Sequence, residues 1–187
     1  MAYFTEQQLR DFRQPFGGRR HILTEERGAE LTVFLSHSHH DRSIVEGLIA
    51  MLDQIGIKIY VDWNDKDMPR VTNRETADKI KEQIKKNAIF MILATSRALS
   101  SKWVPWEVGI GDQVKGEAQI LLIPVADPSG NFQGNEYLQL YSHLIVEPKN
   151  YVDWGRSSYR IVSRREREIG SLNEVLEFAK SRGVLFS

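Results

Sequence analysis

The sequence predicts an α/β fold with a central, mainly parallel sheet covered by helices on both faces. Three observations carry this. β-type and helical segments alternate along the chain, as βα units do. The run Ala88-Ile89-Phe90-Met91-Ile92-Leu93-Ala94 is apolar throughout, which suits a strand buried on both faces. The segments between strands carry apolar residues at helical spacing with polar residues opposite, so each has one face for the sheet and one for water.

The elements follow in order. Thr5 with Gln8 three positions on has the form of a capping box, which predicts a short helix from about residue 6 to 13. Pro15, Gly17 and Gly18 then punctuate a polar stretch. Residues 1–29 are expected to form an N-terminal extension, and residues 30–187 one domain that includes a C-terminal helix. Leu31 to Leu35 is a short β-type run ending in the polar loop Ser36-His37-Ser38-His39-His40-Asp41. Ile44, Leu48, Met51, Leu52 and Ile55 fall at helical spacing, closed by Gly56. Ile57 to Val61 is the second strand, followed by an acidic loop from Asp62 to Pro69. Thr72 and Glu75 suggest a capping box before a helix bearing Ala77, Ile80 and Ile84. The apolar third strand comes next, then a helix opened by Trp103. Pro105 is tolerated there because the first turn needs no internal partner for its missing N–H. Gln119 to Val125 makes a fourth strand, and His143 to Glu147 a fifth. Ser171 and Glu174 cap a last helix that ends before Gly183.

Composition removes several function classes. Lysine plus arginine equals aspartate plus glutamate at 25 each, so no global field recruits nucleic acid or membrane. The absence of cysteine excludes disulfides, thiolate metal sites and cysteine nucleophiles, and fits a reducing compartment. No apolar run approaches the roughly 20 residues of a membrane helix, and the first residues lack a signal-peptide layout. A cytoplasmic protein is expected. The arginine-rich run from Arg156 to Arg167 reads as solvated surface.

In such sheets ligands sit at the carboxyl ends of the strands, which directs attention to three loops: 36–41, 62–73 and 95–107. Gly109-Ile110-Gly111 lies within a helix and is no dinucleotide fingerprint. His37, His39, His40 and Asp41 are adjacent in one loop with no distant ligand set evident, so no metal is expected. Asp62 has the place of a receiver-domain phospho-acceptor, but the acidic pair such a domain needs is replaced by Ser36, His37 and Ser38. No G-x-S-x-G elbow marks a serine hydrolase. In Ser100-Ser101-Lys102-Trp103-Val104-Pro105-Trp106-Glu107, Trp103 and Glu107 stand one helical turn apart on one face. An aromatic plate beside a carboxylate would suit a flat cationic ring and its sugar. Equally, Trp103 could fill the core and Glu107 complement the helix dipole.

Taken together the pieces resemble the Toll/interleukin-1 receptor (TIR) domain family over roughly residues 30 to 150. Val33-Phe34-Leu35-Ser36-His37-Ser38 with Asp41 looks like its first strand and box, and Gly56 to Asp62 like its second strand. Asp65 to Pro69 has the place of its BB loop. Ser96 to Glu107 looks like its S-x-x-x-x-x-S-x-W-x-x-x-E box. The usual Pro-Gly of the BB loop is Pro69-Arg70 here, and an arginine often found after the first strand is Ser38.

The resemblance implies a flavodoxin-like, three-layer fold with a five-stranded sheet, and an enzyme that cleaves NAD at the nicotinamide–ribose bond. The products would be nicotinamide with ADP-ribose or a cyclic isomer, in bacterial anti-phage signalling. It implies Glu107 as the catalytic residue and Trp103 in the nicotinamide pocket, with Ser36, Ser38, Asp62 and His37 near the substrate. NAD is then a substrate, no cofactor is required, and self-association through TIR–TIR contacts is expected. Two alternatives remain at this level: a non-enzymatic TIR adaptor, and a nucleoside hydrolase or deoxyribosyltransferase-like enzyme.

Overall fold

The computed structural model describes residues 3–13, 32–53, 57–64, 73–115, 119–146, 159–162 and 168–171. The expected BB loop, the arginines other than Arg160 in the basic run and the expected last helix lie outside the described residues.

The strands are β1 (Phe4–Thr5), β2 (Thr32–Ser36), β3 (Lys58–Tyr60), β4 (Ile89–Ala94), β5 (Ile120–Ala126), β6 (Ser142–Val146), β7 (Tyr159–Val162) and β8 (Glu168–Ser171). They form one sheet in the order β3-β2-β4-β5-β6-β7-β8, with β1 paired to β5. The run from β3 to β6 is parallel. Its order places the first of these five strands at the point where the chain reverses direction across the sheet, the doubly wound pattern expected.

The sheet is larger than the five expected strands. β1 continues parallel along the carboxyl end of β5, and β7 and β8 add an antiparallel edge beyond β6. Ile161 and Val162 of β7 are buried, so the basic run is in part a strand paired on both sides rather than solvated surface throughout. Nor do residues 4–13 stand apart from the domain. Phe4 and Leu9 lie fully buried in the same cluster as the central strands.

The helices are α1 (Glu6–Asp11), α2 (Arg42–Asp53), α3 (Arg74–Lys86), α4 (Ser96–Leu99) and α5 (Trp103–Lys115). Thr5 and Gln8 close the capping box at the start of α1. The cap of α3 is Asn73 with Thr76, not Thr72 with Glu75; both pairs have the same spacing, and Asn is as good an N-cap as Thr or better. Helix α1 rests on α2 at Gly47, where a Cβ would stand 1.7 Å from the Leu9 carbonyl oxygen.

Strand alternation divides the core in two. Val33, Leu35, Met91 and Leu121 face α2 residues such as Leu48 and Leu52. Phe34, Phe90, Ile92 and Leu122 face Ile80 and Ile84 of α3 and Val104 and Val108 of α5. Phe34 stacks between Phe90 at 5.7 Å and Tyr60 at 5.8 Å. Gly111 lets α5 approach closely, since a Cβ there would lie 2.8 Å from the Phe90 ring. Among the described residues no helix is long and apolar enough to cross a membrane.

Candidate active site

Strand parity brings the site together. Ser36, the last residue of β2, follows Phe34 by two positions and therefore points to the face that α5 covers. On α5 the buried residues are Val104, Glu107, Val108 and Gly111, a single stripe at helical spacing. Glu107 thus stands at a core position of the stripe, over the carboxyl end of β2. Ser36 Oγ donates to Glu107 Oε2 at 2.6 Å, and both side chains are buried.

That location governs the charge of Glu107. Burial pushes its carboxyl up to about 8, the Asp62 charge adds to the rise, and the Ser36 hydrogen bond opposes it. In a closed, free site at neutral pH the group is mostly protonated. A cation arriving within about 4–6 Å would favour the charged form and reverse this.

Trp103 opens α5, where the Ser101 hydroxyl accepts hydrogen bonds from the backbone N–H groups of Trp103 and Val104. The indole is half-buried and packs against the α3/α5 side of the core. It meets Trp106 edge to face at 5.1 Å. Core packing takes up part of the indole, and the rest of its surface stays accessible.

The loop after β2 is held by a second network. Asp41 is fully buried and accepts short hydrogen bonds from Thr95 Oγ1 and Arg97 Nε. Arg97 also bridges to Glu6 of α1 at 2.8 Å. Asp41 therefore ties the loops after β2 and β4 to each other and to the N-terminal helix. Its position in the box could be read from sequence, but its partners, 54 and 56 residues away, could not.

Asp62 enters from the end of β3, beside β2. Its Oδ1 accepts from Trp63 N–H at 2.8 Å. It lies 3.7 Å from His37 Nε2 and 3.9 Å from His39 Nε2. The Trp63 ring meets His37 edge to face at 4.6 Å. Burial lowers the His37 imidazole from its ordinary range. A cavity of about 480 Å³ opens between the loops after β2 and β4, with Ser38, Arg97, Ser100 and Ser101 in its wall. Glu107 is not part of that wall; it sits at the inner side of the same strand ends, 8% exposed.

The sequence has counterparts among known proteins. A family model described as TIR domain matches residues 33–165. The chain belongs to the TIR domain family. Over 114 residues it is 32% identical to a Bacillus cereus (strain MSX-D12) protein provisionally named 3′ cyclic ADP-D-ribose synthase ThsB′; the match covers 60% of this chain and 59% of that protein. It is 27% identical over 109 residues to a Cytobacillus dafuensis protein provisionally named cyclic ADP-D-ribose synthase TIR2, covering 50% of this chain and 29% of the other. The chain thus spans less than two thirds of the length of either relative.

Within this TIR domain, Glu107, Ser36, Asp62 and His37 cluster at the carboxyl ends of β2 and β3, and Trp103 stands one turn from Glu107. Ser38 is buried, and its hydroxyl caps the short 3-10 turn His39–Asp41 by accepting from His40 N–H. Sequence reasoning missed the role of Trp63 against His37. An aromatic directly after a strand-end aspartate was the available signal.

Proposed function

We propose that the protein cleaves NAD at the nicotinamide–ribose bond, releasing nicotinamide with ADP-ribose or a cyclic ADP-ribose isomer. The observation that carries the reading is the buried Glu107 carboxyl, hydrogen-bonded to Ser36 at the switch point of a parallel sheet. The names of the two relatives support it. The activity, substrate and partners of those relatives come to this chain as part of the proposal.

The chemistry suits a single carboxylate. The bond between ribose C1′ and the pyridinium nitrogen breaks with both electrons leaving on nitrogen, so the departing nicotinamide is neutral. No general acid is needed to expel it. The sugar becomes oxocarbenium-like, and an ionised Glu107 in a site sheltered from water stabilises that positive charge. Water attack at C1′ gives ADP-ribose and a proton. Attack by a nucleophilic group of the same ADP-ribose gives the cyclic isomer and likewise releases a proton. Trp103 offers its open face to the cationic ring, a contact worth about 0.5–2 kcal/mol. Ser36 sets the orientation and proton affinity of Glu107, and Asp62 and His37 line the sugar side.

Ionisation of Glu107 is coupled to substrate. The pyridinium charge entering beside a carboxyl held near 8 drives off its proton, so the charged catalyst forms when the cationic ring is in place. This favours NAD over dinucleotides whose base is uncharged. The proposal extends to a cytoplasmic enzyme that works as a TIR–TIR assembly and feeds a bacterial anti-phage signal.

Incubating the pure protein with NAD and, separately, with deoxynucleosides tests the reading. Free nicotinamide with no base released from deoxynucleosides is the expected result. Base release only from deoxynucleosides would assign the glutamate to nucleoside chemistry, and release from neither would return the protein to the adaptor class.

A further inference from the structure

We propose that His37, His39 and Asp62 form a binding site for a divalent transition-metal ion of the zinc class, beside the glutamate site. Adjacent histidines in one loop gave no reason to expect a metal; the fold supplies the missing distant ligand by setting β3 next to β2. One ring nitrogen from each of His37 and His39 and a carboxylate oxygen of Asp62 all lie within 4.8 Å of one another. Two imidazoles and a carboxylate form a donor set that zinc accepts, with a fourth position left for water or another ligand.

His37 is the observation that points to a ligand. Its Nδ1 lies 2.9 Å from the Leu35 carbonyl oxygen. A carbonyl can only accept, so Nδ1 carries the proton, and in the neutral imidazole Nε2 presents a lone pair. That nitrogen is buried and has no hydrogen-bond partner among the described residues. Its neighbour is an Asp62 oxygen at 3.7 Å, too far for a hydrogen bond. A lone pair facing a carboxylate oxygen in a buried place is unfavourable, and a cation between them turns repulsion into coordination. The arrangement also provides the support metal-binding histidines have: the other ring nitrogen donates to a backbone carbonyl, which fixes tautomer and ring orientation.

The spacing asks for little movement. Tetrahedral zinc with bonds of about 2.0–2.2 Å holds its donors roughly 3.4 Å apart. His37 and Asp62 are nearly there. The His39 side chain is 70% exposed, so it can turn inward without disturbing the core. Mg2+ and Ca2+ prefer all-oxygen sites and would bind poorly. Where the site also cleaves NAD, as proposed above, a bound dication engages Asp62 and His37 and repels the incoming pyridinium. Zinc is then an inhibitor of base release.

Binding is measured on the full chain, stripped of metal, by titrating Zn2+ against a chromophoric chelator. This readout needs no NAD, and base release measured in excess chelator needs no metal, so failure of either proposal is distinguishable. The expected result is one Zn2+ per chain. Affinity should fall in His39→Ala by at least the roughly tenfold to hundredfold that a supporting partner alone is worth, and stay unchanged in His40→Ala. Zn2+ should inhibit base release over the range in which it binds, and the inhibition should move to at least tenfold higher concentration in His39→Ala. Absence of stoichiometric binding would overturn the site. So would equal affinity in His39→Ala and the parent, or an equal loss in His40→Ala.

Discussion

Ser36 Oγ donates a 2.6 Å hydrogen bond to Glu107 Oε2, joining the end of β2 to the first turns of α5 across 71 residues of chain. Ser36 is the contact that draws the proton affinity of Glu107 down while burial and Asp62 draw it up. Two substitutions should therefore move the carboxyl in opposite directions. Ser36→Ala raises it further, so the rising limb of the pH profile of kcat/KM moves to higher pH and activity at neutral pH falls several-fold. Asp62→Asn lowers it, and the limb moves to lower pH. Profiles of nicotinamide release for both variants check this; shifts in the same direction would contradict it.

Stability carries the same signature. The folded-state value of Glu107 is about 8 against 4.5 for the free carboxyl, so between these the native state holds the extra proton. Stability from this group is full below pH 4.5 and is lost as pH rises towards 8, at up to about 1.4 kcal/mol per pH unit. Glu107→Gln lacks this loss. The melting temperature of the variant relative to the parent should climb across that window and level off above it. Parallel curves would show that Glu107 is not buried as described.

Binding of the cationic ring should release a proton. Calorimetric titration with a non-cleavable NAD analogue that keeps the pyridinium charge, in buffers of different ionisation heat, should report close to one proton released per site at neutral pH. In Glu107→Gln the buffer dependence should vanish. The same heat in every buffer for the parent would mean that the carboxyl is already ionised.

Gly111 sets how closely α5 approaches the sheet, since its missing Cβ leaves room for the Phe90 ring. Gly111→Ala should destabilise the protein by about 1–3 kcal/mol, the usual cost of overpacking. It should also lower activity per folded molecule, because Glu107 lies one turn away on the same helix. Thermal melts alongside activity measurements check both; a variant of unchanged stability would contradict the packing.

Much of this was legible in the sequence, and the exceptions share a physical cause. β4 and β5 announce themselves as apolar runs, and the Val104–Glu107–Val108–Gly111 spacing already places a carboxylate within a core stripe. β1, with two residues, is too short for any period, and the alternation of β7 is hidden among arginines. The cap of α3 slipped by one residue because Thr72-x-x-Glu75 and Asn73-x-x-Thr76 overlap. In the site, Glu107, Ser36, Asp62 and His37 could each be named, but their convergence could not. It requires Ser36 to share the parity of Phe34 and β3 to lie beside β2, properties of the sheet rather than of any segment.

The central claim is that the Glu107 charge drives cleavage, and its most direct test is nicotinamide release from NAD by Glu107→Gln. The substitution keeps size and shape and removes the capacity to carry the negative charge. With circular dichroism and melting curves confirming the fold, turnover should fall by on the order of a hundredfold or more. Parental turnover in a correctly folded Glu107→Gln protein would contradict the account.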